Sequence, residues 1–440
     1  MSKKILYLLV FASSALVVLA LLVYSVPQIY DRLDWHLDNL RAQIKYALNP
    51  PEDVVFLPEK TTSDTGTAGP QSLELTPRAS ATLLPTPTLF LQPEFTQTPI
   101  PSATPPPTEL PLPPSVRLEG VRYEDQHGLW NYCAPANLSM ALSFWKWKGD
   151  RVDVGTYVKP YGKDKNVMPY ELADFVVEKT DLNVALRVGG DANLLKRFLA
   201  AGYPVLIERG AWLRDTTGVI SWMGHYQVIT GYDEAGGYFI AQDSFLKPNL
   251  EVPMDELVRN WRAFDFTYLV IYPHGKYNEI MNILGPDADV DQNYQNAANK
   301  ASNEIVTLEG VDKYFAWFNR GENLASLQDY GGAAIAFDEA FAMYPSIPED
   351  QRPWRIMWYR TGPYKAYFGV QRYWDVINLA TTTLNNISEP ILEESYYWRA
   401  RAEWEVGDQE KAIADFKESL KYHPDFGPTL YQAQLLGINL

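Results

Sequence analysis

The apolar and polar positions of this chain change period several times along its length. Ile5 to Val26 is a run of 22 residues without a charge, preceded by Lys3 and Lys4. Such a run is long enough to cross a bilayer as a helix. The flanking lysines place its N-terminus in the cytoplasm and everything after it outside. A cleaved signal peptide has a shorter apolar region ending in a small-x-small site, and Tyr24-Ser25-Val26-Pro27 lacks one, so residues 1–27 read as an uncleaved single-pass transmembrane anchor in the cell membrane. Leu33, Leu37, Leu40, Ile44 and Leu48 then recur at steps of three and four with charges between them. That spacing predicts an amphipathic helix over 28–49, lying on the lipid surface, pairing with a second copy, or serving as a solvated stalk.

Residues 50–115 change character. Half of the chain's 32 prolines fall between Pro50 and Pro114, among many threonines. A segment of this composition cannot bury enough apolar surface to fold, and it reads as an extended disordered spacer. From 116 to 274 the pattern is that of a compact α+β domain. Helical spacing covers Cys133 to Trp147, Pro169 to Lys179, and Asp191 to Ala201, the last with Asp191 as cap and Gly202 as stop. Runs rich in Val, Ile and Tyr follow and predict strands at Pro204 to Glu208, Tyr226 to Tyr232, Tyr238 to Gln242 and Tyr268 to Tyr272, with a helix from Met254 to Trp261 between the last two.

After Gly275 the chain turns helical and repetitive. Trp317, Gly321, Ala333, Phe337, Ala340 and Pro345 recur in the same register as Tyr396, Ala400, Gly407, Ala412, Phe416 and Pro424. A weaker unit with Tyr367, Tyr373, Val376 and Ala380 lies between them, and Tyr431 to Ile438 reads as a capping helix. The pattern resembles tetratricopeptide repeats, in which small residues let paired helices close and a large one fills the gap. The resemblance implies an all-α solenoid over 275–440 that binds a protein partner and folds on its own helix-to-helix contacts.

The formal net charge is −16, and about −10 of it falls after Gly275, which excludes a nucleic-acid partner needing a basic face. With one cysteine there is no internal disulfide. The histidines and that cysteine show no ligand spacing, so no metal site is expected, and no cofactor motif is present. Cys133, however, begins a helix, followed by Ala134 and Pro135. There the backbone N–H groups and the positive end of the helix dipole stabilise a thiolate. A small buried core residue is the bland alternative. A nucleophile needs a base, an orienter and oxyanion donors. His36 lies by the membrane segment, His127 six residues before Cys133 in a loop that lines the cleft, His274 at the domain end and His423 in a repeat. His225 remains, at the opening of a strand. A hairpin closing symmetrically near Glu234 puts Asp243 directly opposite it, with Cβ atoms about 5 Å apart. Gln126 can offer a side-chain N–H to an oxyanion beside the Cys133 amide.

The order Gln126, Cys133, His225, Asp243 resembles the papain-like cysteine peptidases, most closely the bacteriocin-processing, double-glycine-type family, over Val121 to about Pro273. That family has a Gln upstream of a Cys-Gly-Pro-[Ala/Ser] helix start, a Gly-His-aromatic strand, and an Asp, often Asp-Pro, closing the next strand. Two departures stand out: Ala134 replaces the glycine, and Ser244 rather than proline follows Asp243. The resemblance implies a nucleophile at Cys133, an acid/base at His225, its orienter at Asp243 and an oxyanion donor at Gln126. The whole chain then reads as a membrane-anchored, extracytoplasmic bacterial cysteine peptidase acting on a peptide or protein recruited by its repeats. Family members fused to exporters trim leader peptides, a substrate that does not carry over, since this sequence has no transporter or ATPase segment. Acyl transfer by the same triad, or a non-catalytic adaptor using the fold only to bind, are the alternatives.

Overall fold

The computed structural model describes residues 27–59, 111–215 and 218–440. The expected transmembrane segment and most of the Pro/Thr-rich spacer lie outside these residues. Among the described residues no helix is long and apolar enough to cross a membrane.

Helix α1 (Pro27–Leu48) forms where the amphipathic pattern predicts it, but it docks by its other face. Ala42 is buried, the Lys45 ammonium donates to the carbonyls of Asn385 and Ile387 at 2.6 Å, and Tyr46 packs edge-on against Trp354. Leu37, Leu40, Ile44 and Leu48 are 50–74% exposed. The apolar stripe thus faces away from the protein.

The α+β region is a seven-stranded antiparallel sheet in the order β2-β7-β3-β4-β5-β6, with the short strand β1 (Ser115–Arg117) paired to β4. Its strands are β2 (Leu182–Arg187), β3 (Val205–Arg214), β4 (Ile220–Asp233), β5 (Tyr238–Asp243), β6 (Lys247–Pro253) and β7 (Tyr268–Pro273). Leu206, Tyr226, Val228, Leu269 and Ile271 alternate onto one face, against α2 (Cys133–Phe144) and α4 (Pro169–Lys179). Val205, Ile207, Ile229, Tyr268 and Val270 point to the other, under α5 (Ala192–Ala200) and α6 (Met254–Arg262). Period-two alternation on both faces is what a sheet covered on both sides requires. The short helix α3 (Arg151–Val158) and strands β2 and β6 escape the sequence pattern. Their alternation is weak, and β6 leaves most of its residues exposed.

The remaining helices are α7 (Tyr277–Leu284), α8 (Val290–Thr307) and three pairs: α9 (Gly310–Ser326) with α10 (Tyr330–Met343), α12 (Gly362–Gly369) with α13 (Tyr373–Asn385), and α14 (Glu393–Glu405) with α15 (Gln409–Tyr422). A single turn, α11 (Ile356–Tyr359), precedes α12, and α16 (Gly427–Leu436) follows α15 as the capping helix. In each pair a left-handed residue stands immediately before the N-cap of the second helix: Gln328 at φ 64°, Gln371 at 62° and Gly407 at 89°. Only the third uses glycine, the residue that adopts this conformation without cost. At Gly321 a Cβ would come 2.7 Å from the Phe337 ring, so the bare backbone is what lets α10 approach α9.

The repeats do not close their core alone. Trp222, Ala263 and Phe264 of the α+β region share a buried cluster with Tyr314, Phe315, Phe318 and Phe337. Trp222 stacks on Phe264 at 5.7 Å and on Phe315 at 5.9 Å. Sequence periodicity reveals pairing between neighbouring helices and says nothing of a partner some hundred residues away.

Candidate functional site

Cys133 is the first residue of α2, and no side chain caps this helix start. The first-turn amides of a helix have no partner within it, and Pro135 removes one of them, so those of Cys133 and Ala134 remain as donors at the site. The Cys133 side chain comes near enough to the His225 ring to favour its charged form. His225 Nε2 in turn lies 3.0 Å from Asp243 Oδ1, which leaves Nδ1 as the ring nitrogen for sulfur. Both side chains are buried. Burial opposes charge on the ring, but the Asp243 carboxylate and Cys133 outweigh it and push His225 up from 6.5 to about 9. This favours the charged imidazolium at neutral pH.

Asp243 is the most fully solvated group of the site, with the protein acting as solvent. Besides His225, its Oδ1 accepts from the amides of Phe245 and Leu246 at 2.9 Å, and Oδ2 accepts from Gln227 Nε2 at 2.5 Å. Burial alone would raise this acid, yet His225 and these donors hold it well below the usual carboxylate range.

The register differs from the symmetric hairpin. Val228 faces Gln242 and Ile229 faces Ala241, and a bulge between Ile229 and Gly231 then shifts the pairing by one residue. His225 and Asp243 consequently meet on the diagonal, beyond the last paired residues, and the direct cross-strand neighbour of His225 is Arg209 on β3. Gln227, two residues on and hence on the same face as His225, becomes the second side-chain donor to Asp243. Sequence reasoning missed it because a bulge extends the hairpin without leaving a hydrophobic signature.

Gln126 is joined to this centre through Ser244. Its backbone N–H donates to the Ser244 carbonyl at 2.9 Å, and its Oε1 accepts from Ser244 Oγ at 2.7 Å. Asn137 Nδ2 donates both to Ser244 Oγ at 2.7 Å and to the Cys133 carbonyl at 2.8 Å. With Oε1 so engaged, Nε2 is the free end of the Gln126 amide. The serine that departs from the Asp-Pro pattern thus carries the link between Gln126 and the Cys133 helix. His127 is apart from it: its Nδ1 lies 2.6 Å from Asp125 Oδ1 and its ring packs on Phe245.

Two further groups border the site. Glu208 on β3 is buried, and burial pushes it up to about 8 against the attraction of Arg360, while the nearby Tyr226 hydroxyl donates to the Val167 carbonyl at 3.0 Å. Tyr359 packs against Gly224, where a Cβ would meet its ring at 3.0 Å. Both Tyr359 and Arg360 come from the C-terminal helical region.

Residues 118–269 match the model of the Peptidase_C39 like family, and residues 393–426 match a tetratricopeptide repeat. Among solved structures the chain is similar to a putative C39-like peptidase from Bacillus anthracis, at 16% identity over 36% of this chain and 98% of that one, with a TM-score of 0.30. It is also similar to xylellain, a cysteine protease from Xylella fastidiosa, at 15% identity over 37% of this chain and 87% of that one, with a TM-score of 0.29. Aryl-hydrocarbon-interacting protein-like 1 of Mus musculus and of Rattus norvegicus are each 26% identical over 140 residues, which is 29% of this chain and 42% of theirs. The chain therefore spans less than half the length of these curated relatives. One chain thus carries a segment matching the Peptidase_C39 like family model over residues 118–269 and a segment matching a tetratricopeptide repeat over residues 393–426.

Proposed function

We propose that this protein is a membrane-anchored cysteine peptidase that cuts a peptide or protein outside the cytoplasm, with its repeats recruiting the substrate or a partner. The observation that carries the reading is the buried His225 imidazole, held 3.0 Å from the Asp243 carboxylate and influenced by Cys133 at a helix start. The Cys133 thiolate attacks the scissile carbonyl, and the developing oxyanion is held by the Cys133 N–H and by Gln126 Nε2. His225 gives its proton to the leaving amine, which departs as the C–N bond breaks and an acyl-thioester remains. Water then loses a proton to His225 and attacks the thioester, releasing the acid and restoring the thiolate beside the imidazolium. Asp243 holds the ring and keeps it charged.

Supporting the membrane reading, the exposed stripe Leu37, Leu40, Ile44 and Leu48 follows directly on the uncharged run from Ile5 to Val26. An apolar helix face beside a bilayer anchor suits the headgroup boundary.

The test is alkylation of Cys133 by iodoacetamide in the full chain and in His225→Ala. The variant should react far more slowly near pH 6 and almost equally near pH 9, where the thiol needs no partner to ionise. Equal rates at pH 6 would refute catalysis and leave a peptidase-fold adaptor.

A further inference from the structure

Glu171 on α4, Glu393 at the start of α14 and His423 just beyond α15 converge from distant parts of the sequence. One ligand atom from each lies within 4.8 Å of the others, and His423 Nδ1 is 3.1 Å from Glu393 Oε1. Glu171 uses Oε2 to accept from the Met168 amide at 2.7 Å, so its other oxygen is available. The site joins the peptidase domain to the last repeat.

Charge balance gives an independent reason to expect a ligand. Glu394 and its sequence neighbour Glu393 are both buried, at 7% and 3% exposure. Asp164 is buried as well. Lys159, also buried, stands nearby, and its ammonium donates to the Asp164 carbonyl at 2.9 Å. Enclosing several carboxylates together is costly unless positive charge joins them.

We propose that Glu171, Glu393 and His423 bind a divalent transition-metal ion of the zinc type, and that the ion clamps the repeats to the peptidase domain. The donor set decides the class of ion. Calcium and magnesium take oxygen ligands, whereas an imidazole with carboxylates is a zinc set. With ligands about 2.0–2.2 Å from zinc, tetrahedral neighbours stand roughly 3.3 Å apart, close to the His423–Glu393 separation. The spacing 171, 393, 423 hides such a site from the sequence, where ligands are sought within a few residues of one another.

The experiment is equilibrium dialysis of the chelator-stripped full chain against zinc alone, with metal content and melting temperature as readouts. Cys133→Ala, which removes the other credible zinc ligand, should still bind one equivalent and melt at a higher temperature when zinc is added. His423→Ala and Glu393→Gln, each checked for a native circular dichroism spectrum, should bind at least tenfold more weakly and lose the shift. X-ray absorption of the loaded protein should show nitrogen and oxygen neighbours without sulfur. Loss of zinc in Cys133→Ala, a sulfur neighbour, or undiminished binding in both folded His423 and Glu393 variants would overturn the site. None of these readouts depends on peptidase activity, so a failure here leaves the proposed function standing.

Discussion

Replacing Asp243 with Asn isolates the charge of the triad from its shape. The amide oxygen can keep the bonds from the Phe245 and Leu246 amides and from His225 Nε2. The new Nδ2 would face Gln227 Nε2, donor against donor. Gln227 can answer by turning its own amide, because its Oε1 is buried without a partner. The turned oxygen accepts from Asn Nδ2, and the variant folds with little strain. What it loses is electrostatic. Asp243 and Cys133 together lift His225 from 6.5 to about 9 in spite of burial, a net stabilisation of the charged ring of about 3 kcal/mol. Without the carboxylate, burial prevails and the ring is neutral at pH 7. The thiolate–imidazolium pair should then fall by on the order of a hundredfold or more at that pH, since about 1.4 kcal/mol is a factor of ten. The rate of iodoacetamide alkylation against pH, with a melting curve to verify folding, reads this directly. The variant should lag the parent by that factor near neutrality and converge with it near pH 10. A folded variant whose profile coincides with the parent's would refute the assignment of the imidazolium to Asp243.

Three other outcomes are expected. Trp222→Ala removes the ring that stacks on both Phe264 and Phe315 and should cost about 3–5 kcal/mol in urea unfolding, shifting the melting of peptidase and repeats together, and separate transitions with only one moved would contradict the shared core. Glu208 ionises at 4.5 when unfolded and about 8 when buried, so its folded form keeps a proton that the unfolded chain loses, and stability declines from pH 4.5 to 8 by up to about 5 kcal/mol. Glu208→Gln should therefore be more stable than the parent at pH 8 and nearly matched at pH 4, as chemical denaturation at the two pH values would reveal. For topology, protease added to wall-stripped cells should digest the region after residue 115 while the intact chain fractionates with membranes, and a soluble mature form starting just after Val26 would show a cleaved signal instead.

What the sequence determined by itself is local or carried by chemistry at fixed spacing. The Cys-Ala-Pro start of α2, the boundaries of α4 and α5, and the small and large residues at Gly321, Phe337, Ala412 and Phe416 follow from capping, helical period and close approach, all of which act within a few turns of chain. The sequence pointed to Cys133, His225 and Asp243 because few side chains can act as base or orienter, and the structure brings His225 and Asp243 to 3.0 Å. Tertiary structure decided the rest. The bulge after Ile229 set the diagonal meeting of His225 with Asp243 and brought Gln227 to the carboxylate, and Ser244 tied Gln126 to Asn137. Helix α1 turned its polar face inward because Lys45 and Tyr46 found partners in the repeats, and Trp222 joined a core built from helices nearly a hundred residues later. Contacts between residues far apart in sequence leave no period in either segment, so only the folded chain brings them into view.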